Sequence, residues 1–464
     1  MAGVQSEGCG SDTKIRNAYE ASKKMISAKE LPELSAYRRL ENALPVQMAP
    51  EFGQLVVSGV NDQLPVHRWF RFKEGFSADL LRSLLWLTGQ ERSESFFLLD
   101  PFCGVGTSLV SAQELSGSVT ITAVGIEQNP FIHFVASTKT SWPLMEAEKI
   151  LDLGERILAD SQRSNGSIPA LSGLSTGRCM SRYNAMRIVS IRDAIHDDGN
   201  SPNHDALMLG LGSAVEQLSK TRKDGRALRL VWRGRQEIGK VLREKWRQIA
   251  SDVRFMQQLA PRARRPKVVH GDGRDPGTHG ISPNSVDLIL TSPPYPNNID
   301  YSEVYKLELW LLGFVTGSVD FLRLRKTTFR SHPTAASVEP TDEFTAALRT
   351  GKLRQVLGPV IRRTKSSSDR YRHRVILGYA SDLWRTLSEH HEMLKKGGAC
   401  ALVVGNSLHG GKHLPYLIPT DLIVSAIAER TGYRTKRIAI ARNFRRRLSG
   451  NHFLRESVIL LEKE

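Results

Sequence analysis

The sequence predicts an α/β fold with a seven-stranded, mostly parallel sheet and helices on both faces. Three observations lead to this prediction. Short aliphatic and β-branched runs recur along the chain, each bounded by polar or turn residues. Helical segments separate several of these runs, as expected where crossovers join parallel strands. A glycine turn follows the first run and leads into a helix and a second run, which indicates a βαβ unit.

The predicted strands account for each layer of the sheet in chain order. They are FFLLD (96–100), VTITAVGIE (119–127), KVVHGD (267–272), VDLILTSPPY (286–295), ACALVVGN (399–406), TKRIAIA (435–441) and SVILLEK (457–463). Between the second and third strands lie about 140 residues, far more than one crossover helix needs. We therefore expect the sheet to be interrupted by inserted segments.

The spacing of the strands divides the 464-residue chain into four segments. Residues 1–63 predict a helical N-terminal extension, and residues 64–143 contain the glycine turn with the first two strands. Residues 144–265 are helical and basic, so we interpret them as an insertion. Residues 266–464 hold the remaining strands and a second, loop-rich basic insertion at about 321–374.

Composition indicates a soluble protein that meets a polyanion. Lys and Arg number 65 against 48 Asp and Glu, a formal net charge of +17, and the sequence pI is about 9.8. Nucleic acid is the expected partner, although a positive surface also serves solubility alone. No run approaches the ~20 apolar residues that cross a bilayer, and the first residues do not resemble a signal peptide, so we expect a cytoplasmic protein.

Cysteine usage does not indicate a metal site or a disulfide framework. The four cysteines form no CxxC pair and have no histidine at metal-ligand spacing: Cys9, Cys103, Cys179 and Cys400. We expect no metal.

The glycine turn DPFCGVGT (100–107) is the first candidate site. Gly104 and Gly106 allow a tight backbone turn, and the helix that follows presents free N–H groups to a ligand. Such turns also occur in α/β proteins without a ligand. Glu127, at the end of the next strand, favours an adenosine-bearing cofactor, because a carboxylate there accepts hydrogen bonds from both ribose hydroxyls. A solvated acid at a strand end remains the alternative.

The second candidate site is Thr291-Ser292-Pro293-Pro294-Tyr295, which follows the VDLIL strand. Parallel sheets bind ligands at the carboxyl ends of their strands. Two prolines fix the turn and remove two donors, so a carbonyl and the Ser292 hydroxyl are left as acceptors for an amino group. The Tyr295 ring is placed to stack on a planar base. A simple turn beside a core tyrosine is the alternative interpretation.

Together these motifs resemble the amino-methylating DNA methyltransferases that use S-adenosylmethionine, a family that occurs in restriction-modification systems and has a Rossmann-like fold. The resemblance covers residues from about 64 to 130 and from 266 to 463. DPFCGVGT resembles the family's cofactor motif, and TSPPY resembles its catalytic motif, (D/N/S)PP(Y/F/W). The Ser form is similar to the cytosine-N4 branch, although many members of that branch place the catalytic motif before the cofactor motif.

The resemblance implies a role for each candidate residue. Ser292, Pro293, Pro294 and Tyr295 would be catalytic. The implied cofactor-binding residues are Phe76 in HRWFRFKEGFS (67–77), Asp100, Phe102, Gly104, Gly106, Thr107, Glu127 and Asp272 in GDGRD (271–275).

The resemblance also implies the reaction and the partner. Methyl transfer to the N4 amine of cytosine would act on a base flipped out of duplex DNA, and the 321–374 segment is a candidate target-recognition insertion. Tyr301 and Tyr305 either line the base pocket or belong to the core. The basic C-terminal residues are expected to contact phosphates; they are Arg430, Arg434, Lys436, Arg437, Arg442, Arg445, Arg446 and Arg447.

Other functions remain open from sequence. They include adenine-N6 methylation, an RNA guanine-N2 methyltransferase, a nicotinamide dehydrogenase and a non-catalytic nucleic-acid binder. A dehydrogenase would leave TSPPY unexplained, and GVGTS lacks the third glycine of GxGxxG. The recognised DNA sequence and the oligomeric state are not readable from the chain.

Overall fold

The structure is a computed structural model. It describes residues 26–27, 31, 33–89, 95–116, 120–162, 167–168, 178–224, 227–234, 236–297, 299–335, 339–365, 370–410, 415–444, 448–449 and 453–464.

A central sheet of eight strands organises the protein. The strands are β1 (Val46–Met48), β2 (Ser95–Asp100), β3 (Thr120–Glu127), β4 (Lys267–His270), β5 (Val286–Thr291), β6 (Leu394–Gly405), β7 (Tyr433–Asn443) and β8 (Arg455–Lys463). Their spatial order is β1-β7-β8-β6-β5-β2-β3-β4. Among these described strands, only β8 runs antiparallel to its neighbours, β6 and β7, and the other pairs are parallel. The prediction of a mostly parallel sheet is confirmed.

The prediction of seven strands is wrong by one, because the N-terminal segment contributes an edge strand. Val46–Met48 pairs in parallel with Ile438–Ile440 of β7 and satisfies main-chain groups on that edge. A three-residue strand with an exposed, polar pattern carries too little alternation to be recognised from sequence. The remaining seven strands correspond to the seven predicted runs.

Helices cover both faces of the sheet. They are α1 (Leu34–Glu41), α2 (Asp79–Thr88), α3 (Thr107–Glu114), α4 (Pro130–Thr140), α5 (Ala147–Asp160), α6 (Arg182–Asp198), α7 (Pro202–Leu218), α8 (Ile238–Leu259), α9 (Tyr301–Val304), α10 (Lys306–Leu311), α11 (Ser318–Thr327), α12 (Asp342–Ala347), α13 (Gly351–Lys365), α14 (Arg370–Met393) and α15 (Thr420–Arg430). Alternate residues of one strand face different cores: Leu98 packs with α2 and α3, whereas Leu99 packs with α13, α14 and α15.

The inserted segments are packed parts of the fold. Helices α5 to α8 share a hydrophobic core with α4 and with residues 66–70, and a two-stranded antiparallel hairpin joins Thr221–Asp224 to Ala227–Leu230. The segment expected to be loop-rich, 321–374, is largely helical within its described residues. Its buried apolar positions, such as Leu353, Val356 and Leu357, recur at helical spacing, and the charged residues between them obscure this period.

Among the described residues, no helix is both long and apolar enough to cross a membrane.

Candidate active site

Sheet topology brings the two candidate motifs together. The chain runs from β2 outward to β3 and β4 on one side and then returns to β5 on the other side of β2. This reversal creates a crevice at the carboxyl ends of β2 and β5, the place where open α/β sheets bind ligands. The glycine turn follows β2 and the Ser-Pro-Pro-Tyr turn follows β5, so both motifs flank one crevice.

A cavity of about 550 Å³ occupies this crevice, and it tests the placement of the candidate residues. Ten of the twelve line it: Phe76, Phe102, Gly104, Thr107, Glu127, Asp272, Ser292, Pro293, Pro294 and Tyr295. Asp100 and Gly106 lie behind the wall instead. The sequence motifs separated by almost 200 residues therefore share one site.

The glycine turn needs both of its glycines for steric reasons. Gly104 has φ +52° and Gly106 has φ +79°, in the left-handed region that disfavours a Cβ atom. A Cβ at Gly104 would lie 3.1 Å from the Phe72 ring, and one at Gly106 would lie 3.3 Å from Ala136 Cβ. Gly106 also caps the amino end of α3, so that free N–H groups of the helix face the crevice.

Asp100 holds the two motifs in register. Its side chain is 1% exposed and accepts hydrogen bonds from the hydroxyls of Ser108 and Thr291, the latter at 3.0 Å, and from the Phe102 N–H at 3.3 Å. Burial raises the pKa of Asp100 to about 6, while these donors lower it. Asp100 thus connects the residue before Ser292 to the glycine turn. This is a scaffold position, and the side chain does not face the cavity.

Glu127 lies at the cavity wall where β3 ends. The Asn129 N–H donates to Oε1 at 2.7 Å, and the Gly104 N–H also donates to this carboxylate. Burial raises the pKa of Glu127 to about 7 against the effect of these donors. The side chain is only half-buried and faces the cavity, so it keeps acceptor capacity for a ligand.

An aromatic segment covers the glycine turn. Phe72 lies over Gly104 and stacks on Tyr305, with ring centroids 5.8 Å apart. The Tyr305 hydroxyl donates to Glu74 Oε2 at 2.8 Å, which secures the same segment a second time. Tyr305 is therefore both a buried core residue and part of the cavity wall, and Tyr301 also lines the cavity.

Ser292 is oriented with its oxygen available as an acceptor. Its hydroxyl donates to the Val403 carbonyl of β6 at 3.2 Å. Because that bond uses the only proton of the hydroxyl, the lone pairs of Oγ remain for a donor on a ligand in the cavity. Pro293 is buried and fixes the turn that follows.

Tyr295 is fixed from two sides. Its hydroxyl donates to Glu456 Oε1 at 3.0 Å, and Glu456 Oε2 accepts from Arg442 Nε at 2.6 Å. The Tyr295 ring lies on Gly405, where a Cβ atom would approach ring carbons at 2.8 Å. Burial raises the pKa of Glu456, and Arg442 opposes that shift. The ring orientation is thus set by residues on β6, β7 and β8.

Asp272 and Arg274 form a charged corner of the same cavity. Arg274 Nη2 lies 2.7 Å from Asp272 Oδ2, and Arg274 Nη1 lies 3.0 Å from Asp382 Oδ1. Burial by itself would raise the pKa of Asp272, but the Arg274 hydrogen bond and charge hold it below its ordinary value. Asp272 is therefore ionised at neutral pH and accepts hydrogen bonds from a ligand as a carboxylate.

The cavity fits an adenosyl cofactor by its donor set and its shape. A carboxylate at the end of β3 suits two vicinal hydroxyls, and the side-chain-free face of Gly104 leaves room that any Cβ would fill. Phe102 supplies an aromatic wall beside Asp272 for a planar base. Within the described residues, no cluster of His, Cys, Asp or Glu is arranged to hold a metal ion.

Several wall residues were not predicted from sequence. Glu456 and Arg442 come from the antiparallel β7–β8 pair, Lys223 comes from the inserted hairpin, and Glu74 lies in the aromatic segment. Glu456 has one recognisable signal: a charged residue directly precedes the apolar run of β8. The others depend on contacts between segments distant in sequence.

We expect cofactor affinity to depend on pH through Glu127. The carboxylate accepts from two ribose hydroxyls, whereas the protonated acid does so poorly, so affinity should fall about tenfold per pH unit below ~7 and level off above ~8. Calorimetric titration of S-adenosylmethionine between pH 5.5 and 8.5 measures this. Glu127→Gln should bind weakly at every pH. Titration of the ligand's own amino group occurs with both proteins and cancels; an unchanged pH slope in Glu127→Gln would contradict the assignment.

Comparisons with known proteins give one consistent class. The chain is 26% identical over 431 residues to the Type II methyltransferase M.AvaI of Nostoc sp., with 83% of each chain covered, and equally to M.AvaI of Anabaena variabilis. It is 24% identical over 474 residues to the Type II methyltransferase M.BsoBI of Geobacillus stearothermophilus, with 88% of each covered. No protein-family profile matches the chain.

Solved structures match only at low TM-scores. TrmN from Thermus thermophilus has a TM-score of 0.26 at 12% identity, covering 84% of this chain and 49% of that one. The rRNA methyltransferase aviRa from Streptomyces viridochromogenes has a TM-score of 0.27 at 9% identity, covering 83% and 85%. At such scores neither likeness carries an argument about substrate.

Proposed function

We propose that this homologue of the Type II methyltransferases, whose cofactor is S-adenosylmethionine, methylates the exocyclic N4 amine of cytosine in DNA. The observation that carries the proposal is the placement of Ser292. Its oxygen faces the same cavity as Glu127, and its proton is already donated to Val403. The cofactor and the acceptor for an amine therefore meet in one enclosed space.

The chemistry requires an acceptor at this position. The lone pair of a cytosine amine is delocalised into the ring, so the nitrogen is a poor nucleophile until its geometry changes. Ser292 Oγ and the Pro293 carbonyl are the groups available to accept its two N–H bonds, which draws the nitrogen towards tetrahedral geometry. S-adenosylmethionine supplies the electrophilic methyl group. No thiolate or covalent enzyme intermediate is needed, consistent with a turn that contains no cysteine.

A base inside a duplex does not reach an enclosed cavity, so the target base leaves the helix before reaction. The Tyr295 ring then provides a stacking surface, and its hydrogen bond to Glu456 holds the ring at a set angle. An uncharged serine at the first position of the turn accepts from the amine without adding a charge. This is the basis for preferring cytosine-N4 over adenine-N6.

Nucleoside analysis tests this proposal directly. The protein is incubated with unmethylated bacteriophage DNA and methyl-labelled S-adenosylmethionine, and the digested nucleosides are identified by mass spectrometry. N4-methylcytosine is the expected product. N6-methyladenine would transfer the enzyme to the other amine, and labelled RNA with unlabelled DNA in a parallel incubation would reject DNA as the substrate.

A further inference from the structure

The inserted segment between β3 and β4 sends a hairpin to the active-site cavity. This element, residues 220–233, is called the basic hairpin below. Lys223 on its first strand lines the cavity and lies 2.5 Å from Glu308, with its ammonium group over the Tyr305 ring at 4.5 Å. The second strand packs against Tyr301–Val304, directly beyond the Ser-Pro-Pro-Tyr turn. The hairpin therefore borders the pocket proposed for the target base.

The surface of the basic hairpin concentrates positive charge. Residues 220–235 contain seven Lys or Arg and one Asp. Arg222 and Arg229 are exposed and lie directly opposite each other in the antiparallel register. Like charges at opposed positions destabilise a hairpin, and an anion lying across them relieves that cost. A polyphosphate backbone is such an anion.

An exposed tryptophan lies at the end of this charged surface. Trp232 is 93% exposed, and Leu230, two residues before it, is 48% exposed. The strand ladder continues to this point, since the Val231 N–H donates to the Lys220 carbonyl at 2.9 Å. At ~3.3 Å per residue, Trp232 lies about 13 Å along the strand from the level of Lys223, or about four base-pair steps.

Other basic residues of the chain are engaged differently. At the C-terminal edge of the sheet, Arg434 and Lys436 both pair with Glu462, and Arg437 pairs with Glu51. Arg442 is committed to Glu456 inside the cavity. These residues were expected to contact phosphates, but their positive charge is largely met by neighbouring carboxylates. Arg445, Arg446 and Arg447 lie outside the described residues.

We propose that the basic hairpin is a duplex-DNA contact element of this protein, with Arg222 and Arg229 on phosphates and Trp232 stacking against a base or sugar beside the target site. The inference rests on the proposed function and names the surface that presents DNA to its cavity. A protein partner is disfavoured because a protein patch of similar size is less charged at its centre. A nucleic acid matches both the arginine pair and the aromatic side chain.

The test separates stacking from charge. Binding of a fluorescein-labelled 30-base-pair duplex is measured by anisotropy across salt concentrations for the full-length wild type, Trp232→Ala, Trp232→Phe and the double variant Arg222→Gln/Arg229→Gln. Trp232→Ala should weaken binding about tenfold with an unchanged salt slope, and Trp232→Phe should restore most of it. The double variant should lower the log-log salt slope by ~1.8, two contacts at ~0.9 each.

Trp86→Ala is the matched control, because Trp86 is also exposed, at 71%, but lies on α2 away from the hairpin. It should bind DNA as the wild type does, and all variants should keep their affinity for S-adenosylmethionine. Wild-type DNA binding by Trp232→Ala would overturn the hairpin proposal, and so would a change in its oligomeric state by light scattering without a change in DNA affinity. If the wild type neither binds nor methylates DNA, the proposed function fails with it.

Discussion

Replacing Ser292 with alanine is expected to lower the rate of methyl transfer by ~10² to 10³ while leaving cofactor and DNA affinity nearly unchanged. The hydroxyl is a preorganised acceptor, and its contact with the amine strengthens as the nitrogen becomes tetrahedral. The lost contact with the Val403 carbonyl leaves one main-chain acceptor to rebind, which is a small cost beside the loss in rate. Single-turnover transfer of labelled methyl groups to DNA measures the effect.

Ser285→Ala is the matched control for this variant. Ser285 lies next to the amino end of the same strand, β5, and its side chain bonds locally, to the Ser282 carbonyl at 2.6 Å, so its loss should not alter the rate. Tyr295→Ala should differ from both, because it removes the stacking surface, worth ~1 to 3 kcal/mol per base, and so weakens both base capture and rate. A Ser292→Ala protein as active as Ser285→Ala would remove Ser292 from the reaction.

Replacing Gly104 with valine is expected to reduce S-adenosylmethionine affinity by at least ~100-fold, about 3 kcal/mol. A β-branched residue at φ +52° is strained, and its Cβ would lie 3.1 Å from Phe72, the ring that covers the turn. Either the turn changes shape or the covering segment moves, and both disturb the space beside Glu127. Calorimetry measures the affinity, and circular dichroism measures the melting temperature of the same sample.

Gly89→Val separates this local effect from general strain. Gly89 has φ +71° and ends α2, and a Cβ atom added there would meet no described atom within 4 Å. The strain at the two glycines is similar, so both variants should lose comparable stability, yet Gly89→Val should keep full cofactor affinity. Equal affinity in the two folded variants would exclude a role for the glycine turn in cofactor binding.

Much of the fold was predictable because its signals are local. The seven long strands bury one or both faces, so their aliphatic runs are recorded in consecutive residues. The edge strand Val46–Met48 was missed, since its pairing with β7 uses main-chain groups that any side chain would allow. The helices of 318–365 were interpreted as loops because their charged residues obscure a regular apolar period.

The candidate site divides in the same way. Positive φ at Gly104 and Gly106, two prolines after a strand, and an acid at the end of β3 are constraints that particular residue types satisfy, so they are visible in the sequence. The role of Asp100 was not visible in that way. The sequence placed it with the cofactor, whereas its buried carboxylate joins the turn after β2 to Thr291.

The succession of strands along the chain, the glycine turn, the Ser-Pro-Pro-Tyr turn and the basic character of the surface are all legible in the amino-acid sequence. They are legible because turns and strands depend on residues that are neighbours in the chain. The residues that complete the cavity emerged from the folded structure instead: Glu456 and Arg442 behind Tyr295, and Lys223 from the inserted hairpin. Ion pairs and stacked rings between strands and insertions require packing that brings distant segments together, as it does for Tyr295 and Glu456, which are 161 positions apart.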